Sequence, residues 1–328
     1  QWSVLYKMAD NVKRIYLAGD DDQGIYRWNG ADPKYFTDYF PGRKVILRQT
    51  RRFGKDIHHF SQIIRRGIVD SVEKDYDYLE KEGSVKRYLN FNEIPIGELP
   101  GTWYVLGRVN ETVNELRMRA KDSGLYYADN RGNKSFDIKQ WRAIKSWTVL
   151  SNGKKILKKE AENMYRYIRE LEQPKFRTPK FWSKTADYEE LSFVDLVEYC
   201  GLDLGEEHRS LPWFEVLKRN FTPNQVVYFV KLLERYGQKT IDGEPDIIID
   251  TIHSVKGGEA NNVLLYSKAN WPSAFINKTS AEQSDEKRVI YTGVTRAKDT
   301  LHILSTDHKF NYPIGEDYLI FLQESKNV

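Results

Sequence analysis

The sequence predicts an α/β fold, a parallel sheet layered with helices and interrupted by a mostly helical insertion. Three observations predict it. Short apolar strand patterns alternate with amphipathic helix patterns up to about residue 135, the signature of parallel strands joined by helical crossovers. From about Phe136 to about Tyr236 those patterns give way to helical spacing and proline-punctuated loops. Strand patterns then return at Ile247. One α/β domain carrying an insert follows, with divisions at 1–42, 43–135, 136–242 and 243–328.

The opening "QWSVLYKMAD" has helical texture and starts without a methionine or leader, as the middle of a longer protein would. Residues 14–18 (RIYLA) read as a short buried strand, ended by Gly19 and the aspartates Asp20, Asp21 and Asp22. Residues 32–40 read as a short helix with Pro33 in its first turn. Residues 45–47 are a second strand candidate. Ile57, Phe60, Ile63 and Ile64 then mark one face of a helix. Residues 103–106 form a third strand candidate; Asn110 can cap the helix after it and Gly124 can end that helix. In the insert, Ile138, Trp141, Ile144 and Trp147 step by three. Ala161, Met164, Ile168 and Leu171 mark another helix, and residues 226–233 a third. Pro174, Pro179 and Pro212 punctuate the loops between them. Residues 247–249, 263–266 and 301–304 complete the strands.

With 328 residues, two or three domains fit. Lys plus Arg number 51 against 47 Asp plus Glu, a net of +4, so bulk charge does not argue for nucleic acid. Local basic clusters would have to carry such binding. Eight Trp, 21 Tyr and 15 Phe exceed what a core requires, and spare rings serve as stacking surfaces. The single cysteine, Cys200, excludes an internal disulfide and a cysteine-based metal site. No apolar run approaches the roughly 20 residues that span a bilayer, and no signal pattern is present. The expected compartment is the cytoplasm, with no membrane partner and no metal held by the chain itself.

Four clusters carry chemistry. In "LAGDDDQGIYRWNGA", the aspartates could bind Mg²⁺ or form a solvated turn, and the turn is the commoner fate of an acidic run. Gln23 offers an amide to a water or a phosphate oxygen. Trp28 and Tyr26 offer flat faces, on which bases stack for about 1–3 kcal/mol each. In "LRQTRRFGKDI", a guanidinium from Arg51 or Arg52 could clamp a phosphate. In "IIIDTIHSVKGGEANNVLL", a strand runs into Thr251, His253, Ser254 and Lys256, then Gly257, Gly258 and Glu259: phosphate-capable donors on a tight turn. In "EKRVIYTGVTRAKDTLHIL", a buried helix face leads to Arg296, whose guanidinium needs a partner that a nucleotide phosphate would supply.

Together these stretches resemble motifs III, IV, V and VI of the UvrD/Rep-like superfamily 1 DNA helicases, in order. "WYVLGRVNETVNELRMRAKDSGLYY" resembles the motif between IV and V. The resemblance implies a RecA-like domain, ATP with Mg²⁺ as cofactors, and single-stranded DNA and single/double-strand junctions as partners. Replication or repair proteins would join them. It implies that Gln23 senses the γ-phosphate and that Arg52 and Arg296 act as arginine fingers. Glu259 contacts the nucleotide sugar. Tyr26 and Trp28 stack on bases, while Thr251, His253, Arg108 and Asn110 touch the DNA backbone. Arg51 stands where the family usually stacks a tyrosine on adenine, Asn29 where an arginine is common, and "KGGEA" where "KGLEF" is usual, a variant resembling phage-type members. No phosphate-cradling G-x-x-x-x-G-K-[ST] loop and no "DE-x-x-D" stretch occurs. The chain is therefore expected to be the carboxyl-terminal part of a helicase, missing its N-terminal RecA-like lobe, with negligible ATPase activity alone. A non-catalytic DNA- or partner-binding module is the alternative. A metal-dependent nuclease built on the aspartates is a weaker third.

Overall fold

A computed structural model describes the chain except residues 1, 10–11, 39–42, 75–76, 169–187, 201–203, 271–277 and 327–328. It divides into two compact units. One comprises residues 1–120, 127–132 and 246–328, the other residues 121–126 and 133–245. The strands in chain order are β1 (Ser84–Tyr88), β2 (Trp103–Gly107), β3 (Ile156–Leu157), β4 (Glu190–Leu191), β5 (Ile247–Thr251), β6 (Ala260–Tyr266) and β7 (Ala297–Leu304).

In the first unit, five strands form a wholly parallel sheet in the order β1-β7-β6-β2-β5. The α/β fold with a parallel sheet is as the sequence predicts. Covered on both faces, such strands read as continuous apolar runs rather than alternating ones, and every residue of β2 (WYVLG) is buried. Tyr104, Leu106, Val263, Leu265, Leu301 and Ile303 join one core with the helices Lys55–Arg66 and Ser280–Val294. The alternate residues Trp103, Val105, Leu264 and His302 are buried as well. Helix Lys55–Arg66 buries Ile57, Phe60, Ile63 and Ile64, as its spacing predicts. Truncating such a side chain to alanine costs about 2–5 kcal/mol. Its N-cap, Gly54, packs so closely on strand-side backbone that a Cβ would collide with the carbonyl oxygen of Lys81. That close approach fixes the loop carrying Arg51 and Arg52.

Several expectations fail. Residues 14–18 form no strand, and Tyr16 is 87% exposed. The apolar run meets no ladder partner among the described residues. Residues 45–47 are exposed and unpaired, the only pairing nearby being a single bridge between Gln49 and Asp77. The short helix spans only Lys34–Thr37, with Pro33 as its N-cap. Helix Lys158–Tyr165 ends before Ile168, and Leu171, Pro174 and Pro179 lie outside the described residues. The sequence reading missed β1, whose "SVKRY" carries the charges typical of an edge strand, and the helix Ile314–Ser325.

The second unit is mostly helical, with the antiparallel pair β3–β4 added. Trp141, Ile144 and Trp147 of helix Ile138–Ser151 pack with Phe229 and Leu232 of helix Pro223–Asp242. The latter starts with Thr222 and Gln225 in a capping box and Pro223 in the first turn. The indole N–H of Trp147 donates to Leu211 O at 3.1 Å, so the buried ring leaves no orphan donor. Among the described residues, no helix is long and apolar enough to cross a membrane.

Candidate functional site

The aspartate run is neither a solvated turn nor an open cation site. It forms a 3₁₀ turn, Asp21–Gln23, with Asp21 and Asp22 buried. Asp20 caps it, accepting from Asp22 N at 3.1 Å. The three carboxylates converge, and the ammonium of Lys74 fills their centre. Lys74 Nζ lies 2.9 Å from Asp20 Oδ1 and 2.9 Å from Asp22 Oδ2, and also contacts Asp21. Burial opposes the charge on Lys74, but the carboxylates outweigh it and hold the ammonium well above its ordinary range. Burial lifts the Asp22 carboxyl despite Lys74. In this arrangement the Lys74 ammonium occupies the centre that a divalent cation would need.

Gln23 extends from this turn and is held at both ends of its amide. Its Nε2 donates to Asp20 Oδ2 at 2.7 Å, and its Oε1 accepts from Arg296 Nη2 at 2.7 Å. Arg296 is 2% exposed. It also donates to Thr292 O, Gly258 O and Thr295 Oγ1. Burial, and then the neighbouring Arg52, bring the Arg296 guanidinium down to about 10, so it stays charged at neutral pH. Arg52 arrives from the opposite end of the sequence and meets the same residue, donating to Thr295 O at 2.7 Å. Its Nε donates to Glu259 Oε2 at 2.9 Å, and Lys298 lies 3.1 Å from the other Glu259 oxygen. Those two hydrogen bonds depress the Glu259 carboxyl. Thr295 thus joins the two arginines. Arg51 is exposed, with no hydrogen bond or ion pair among the described residues. Of the two, Arg52 is the arginine in the cluster.

The turn between β5 and β6 supplies the rest. Gly257, at φ +94°, makes the turn possible, and Gly258 leaves room for the Tyr104 hydroxyl that a Cβ would strike. Lys256 Nζ donates to Gln23 O at 2.8 Å and sits 5.1 Å from the Tyr26 ring centroid. The Tyr26 hydroxyl donates to His253 O at 3.1 Å, and the two rings lie 5.9 Å apart. Burial, and then Arg108 nearby, push His253 down to about 4. It is a neutral hydrogen-bonding ring at neutral pH, not a cation. Thr251 Oγ1 accepts from Ser254 N. Gly107 and Thr251 are register partners at the carboxyl ends of β2 and β5, which brings Arg108 beside this turn. Arg108 grips Glu286 with two hydrogen bonds, at 2.6 and 2.8 Å. Asn110 is exposed at the start of the helix Asn110–Asp122. Trp28 lies in a 3₁₀ turn, Arg27–Asn29, and its side chain is outside the described residues.

Three participants escaped sequence reasoning: Lys74, Arg288 and Thr295. Arg288 is fully buried. It donates to Asp70 Oδ1 at 2.6 Å, to Asp285 Oδ1 at 3.2 Å and to the carbonyl oxygen of Asp21, clamping the aspartate turn to the helix Ser280–Val294. Of these, Arg288 and Thr295 lay inside a stretch whose sequence drew notice, and only Lys74 lay outside all of them.

The UvrD-like helicase C-terminal domain family matches residues 222–308, and the UvrD/REP helicase N-terminal domain family matches residues 1–40. The chain is 20% identical to the ATP-dependent DNA helicase PcrA of Bacillus subtilis, over 99% of the chain and 57% of the relative. It is 24% identical to a probable DNA helicase II homolog of Mycoplasma pneumoniae, over 93% of the chain and 52% of the relative. To the ATP-dependent DNA helicase Rep of Buchnera aphidicola it is 26% identical, over 52% of the chain and 26% of the relative. The chain spans about half the length of the first two relatives.

Proposed function

We infer, because the chain belongs to the UvrD/Rep-like superfamily 1 helicases, that it supplies the arginine-bearing part of an ATP-dependent helicase moving along single-stranded DNA. In this reading residues 1–42 are the tail of the first RecA-like domain. Residues 43–135 and 243–328 form the second, and 136–242 an insertion. The observation that supports it best is the convergence of Gln23, Arg52, Glu259 and Arg296 around Thr295 from four distant segments.

Arg52 and Arg296 face a triphosphate held by a lobe that carries a phosphate loop. As the terminal phosphoryl group leaves, charge builds on its oxygens. A positioned guanidinium stabilises that charge, typically by about 10³–10⁵ in rate. Gln23 Oε1 now occupies an Arg296 N–H as a phosphate oxygen would, so nucleotide binding exchanges that bond. Gln23 O is tied through Lys256 to the Tyr26 ring, which passes the exchange to the loop bearing Tyr26 and Trp28, the base-stacking residues. Thr251, His253, Asn110 and Arg108 flank the DNA backbone, Arg108 by exchanging Glu286 for a phosphate. Glu259 holds Arg52 and meets the nucleotide sugar; Arg51 lies at the adenine side. Mg²⁺ enters with the nucleotide on ligands other than the Lys74-filled aspartates. DNA junctions and replication or repair proteins in the cytoplasm are the partners.

The second reading is a non-catalytic DNA- or partner-binding module. DNA-stimulated ATP hydrolysis separates the two, measured on the chain alone and joined to a lobe bearing that loop. Negligible turnover alone, recovery when joined, and loss with Arg52→Ala or Arg296→Ala are expected. Recovered turnover indifferent to both substitutions contradicts the catalytic assignment. Single-stranded DNA binding without recovery selects the module.

A further inference from the structure

We propose that Lys74 is a positioning residue for Gln23: its ammonium orients the Asp20 carboxylate, and that carboxylate fixes which end of the Gln23 amide faces Arg296. The proposal rests on the reading of Gln23 as the nucleotide-sensing side chain.

An amide has a donor end and an acceptor end. Turned over, Gln23 would aim its NH₂ at the Arg296 N–H and its oxygen at the Asp20 carboxylate, losing both hydrogen bonds. Only the observed orientation satisfies both neighbours. Asp20 can enforce it only while its own carboxylate is fixed. Oδ1 is held by Lys74 Nζ at 2.9 Å and by Asp22 N at 3.1 Å, which turns Oδ2 toward Gln23. The other two aspartates have different work. Asp21 accepts from Val72 N at 3.0 Å and Asp22 from Ser71 Oγ at 2.9 Å, closing residues 71–74 onto the turn. Asp20 alone passes the Lys74 contact outward. Lys74, with its side chain 8% exposed, so lies two hydrogen bonds behind Gln23 and three behind Arg296.

The test uses the full chain, labelled for nuclear magnetic resonance of side-chain N–H groups. The signals read are the Gln23 amide and the Arg296 Nε–H. Lys74→Met should move the Gln23 amide protons toward the positions of a free glutamine and shift Arg296, while Lys74→Arg should restore both. Asp20→Ala leaves Lys74 paired with Asp21 and Asp22, and should reproduce the Lys74→Met shifts. Folded Lys74→Met protein with both signals unmoved overturns the proposal. If Lys74→Met does not fold, Lys74→Gln decides: in folded protein an unmoved Gln23 amide overturns the proposal, and one moved toward free glutamine, with Lys74→Arg unmoved, upholds it. Nucleotide is absent from these comparisons of variants, so their outcome is independent of the functional reading. Should these shifts occur while added ATP leaves Gln23 untouched, the positioning role stands and the nucleotide-sensing assignment falls.

Discussion

Two charged clusters sit side by side in the α/β unit and differ in the sign of their surplus charge. Around Asp20, Asp21 and Asp22, the protein supplies its own cation in Lys74; around Asp70 and Asp285 it supplies Arg288 and Arg27. Asp21, Asp22, Lys74 and Arg288 are buried, while Asp20, Asp70, Asp285 and Arg27 are partly exposed, and every one of them has an ion-pair partner. Around Thr295 the balance is different. Arg52, Arg296, Lys298 and Lys256 gather near Glu259 and the outer oxygen of Asp20, an excess of positive charge in reach of solvent. The acidic cluster is bridged by cations of the chain itself and acts as scaffold. The one left with surplus positive charge attracts an anion from outside.

The largest effect that would sharpen this contrast is Arg52→Ala in the chain joined to a phosphate-loop lobe. Turnover should fall at least about 10³-fold, about 4 kcal/mol of barrier. The unfolding free energy should change by under about 1 kcal/mol, since the Arg52–Glu259 pair is partly exposed. Steady-state rates and urea unfolding read the two; equal losses in both would erase the distinction. Arg288→Met should do the reverse, costing about 1–3 kcal/mol in urea unfolding by removing the buried donors to Asp70, Asp285 and the carbonyl oxygen of Asp21. A loss below about 1 kcal/mol would break the comparison from the scaffold side.

His302 is the limiting case, a titratable ring with no counter-charge at all. It is fully buried, stacked on Trp103 at 4.9 Å, and neither ring nitrogen has a hydrogen-bond partner. Burial, then Lys86, pushes it down to about 4. Its folded value lies below the unfolded 6.5, so its neutral form favours folding above pH 6.5. That stability drains as pH falls from 6.5 toward 4, by up to about 3 kcal/mol. Chemical unfolding at several pH values should show the slope, and His302→Leu should flatten it; an unchanged slope would show that the ring finds a partner when protonated. Smallest is the exposed pair Lys81–Asp299. Lys81→Ala should cost at most about 1 kcal/mol, and less in high salt.

Much of the sheet and most of the cluster were legible because each is written in contiguous residues. The strands at 103–106, 263–266 and 301–304 are apolar runs buried on both faces, and Gln23, Arg52, Glu259 and Arg296 sit in dense polar stretches beside them. Residues 14–18 and 45–47 have equally good apolar runs but no ladder to join, and pairing is a long-range property that a run does not encode. Lys74 was invisible for a related reason. It stands in an irregular segment more than 50 residues beyond the aspartates it neutralises, with no periodicity to mark it. The acidic turn alone suggested a metal or solvent, because its cation lies elsewhere in the chain. Arg108 taught the converse: the resemblance grouped it with Thr251, but its bidentate grip on Glu286 was not readable.

The most direct measurement titrates the labelled chain with tripolyphosphate while following the Arg52 and Arg296 Nε–H resonances. Saturable shifts of both, with the Gln23 amide moving in step as Arg296 exchanges partners, are expected, and Arg52→Ala should weaken the titration for Arg296 as well. Resonances that stay fixed, or an anion that binds while these two arginines are silent, would contradict a phosphate site centred on Thr295.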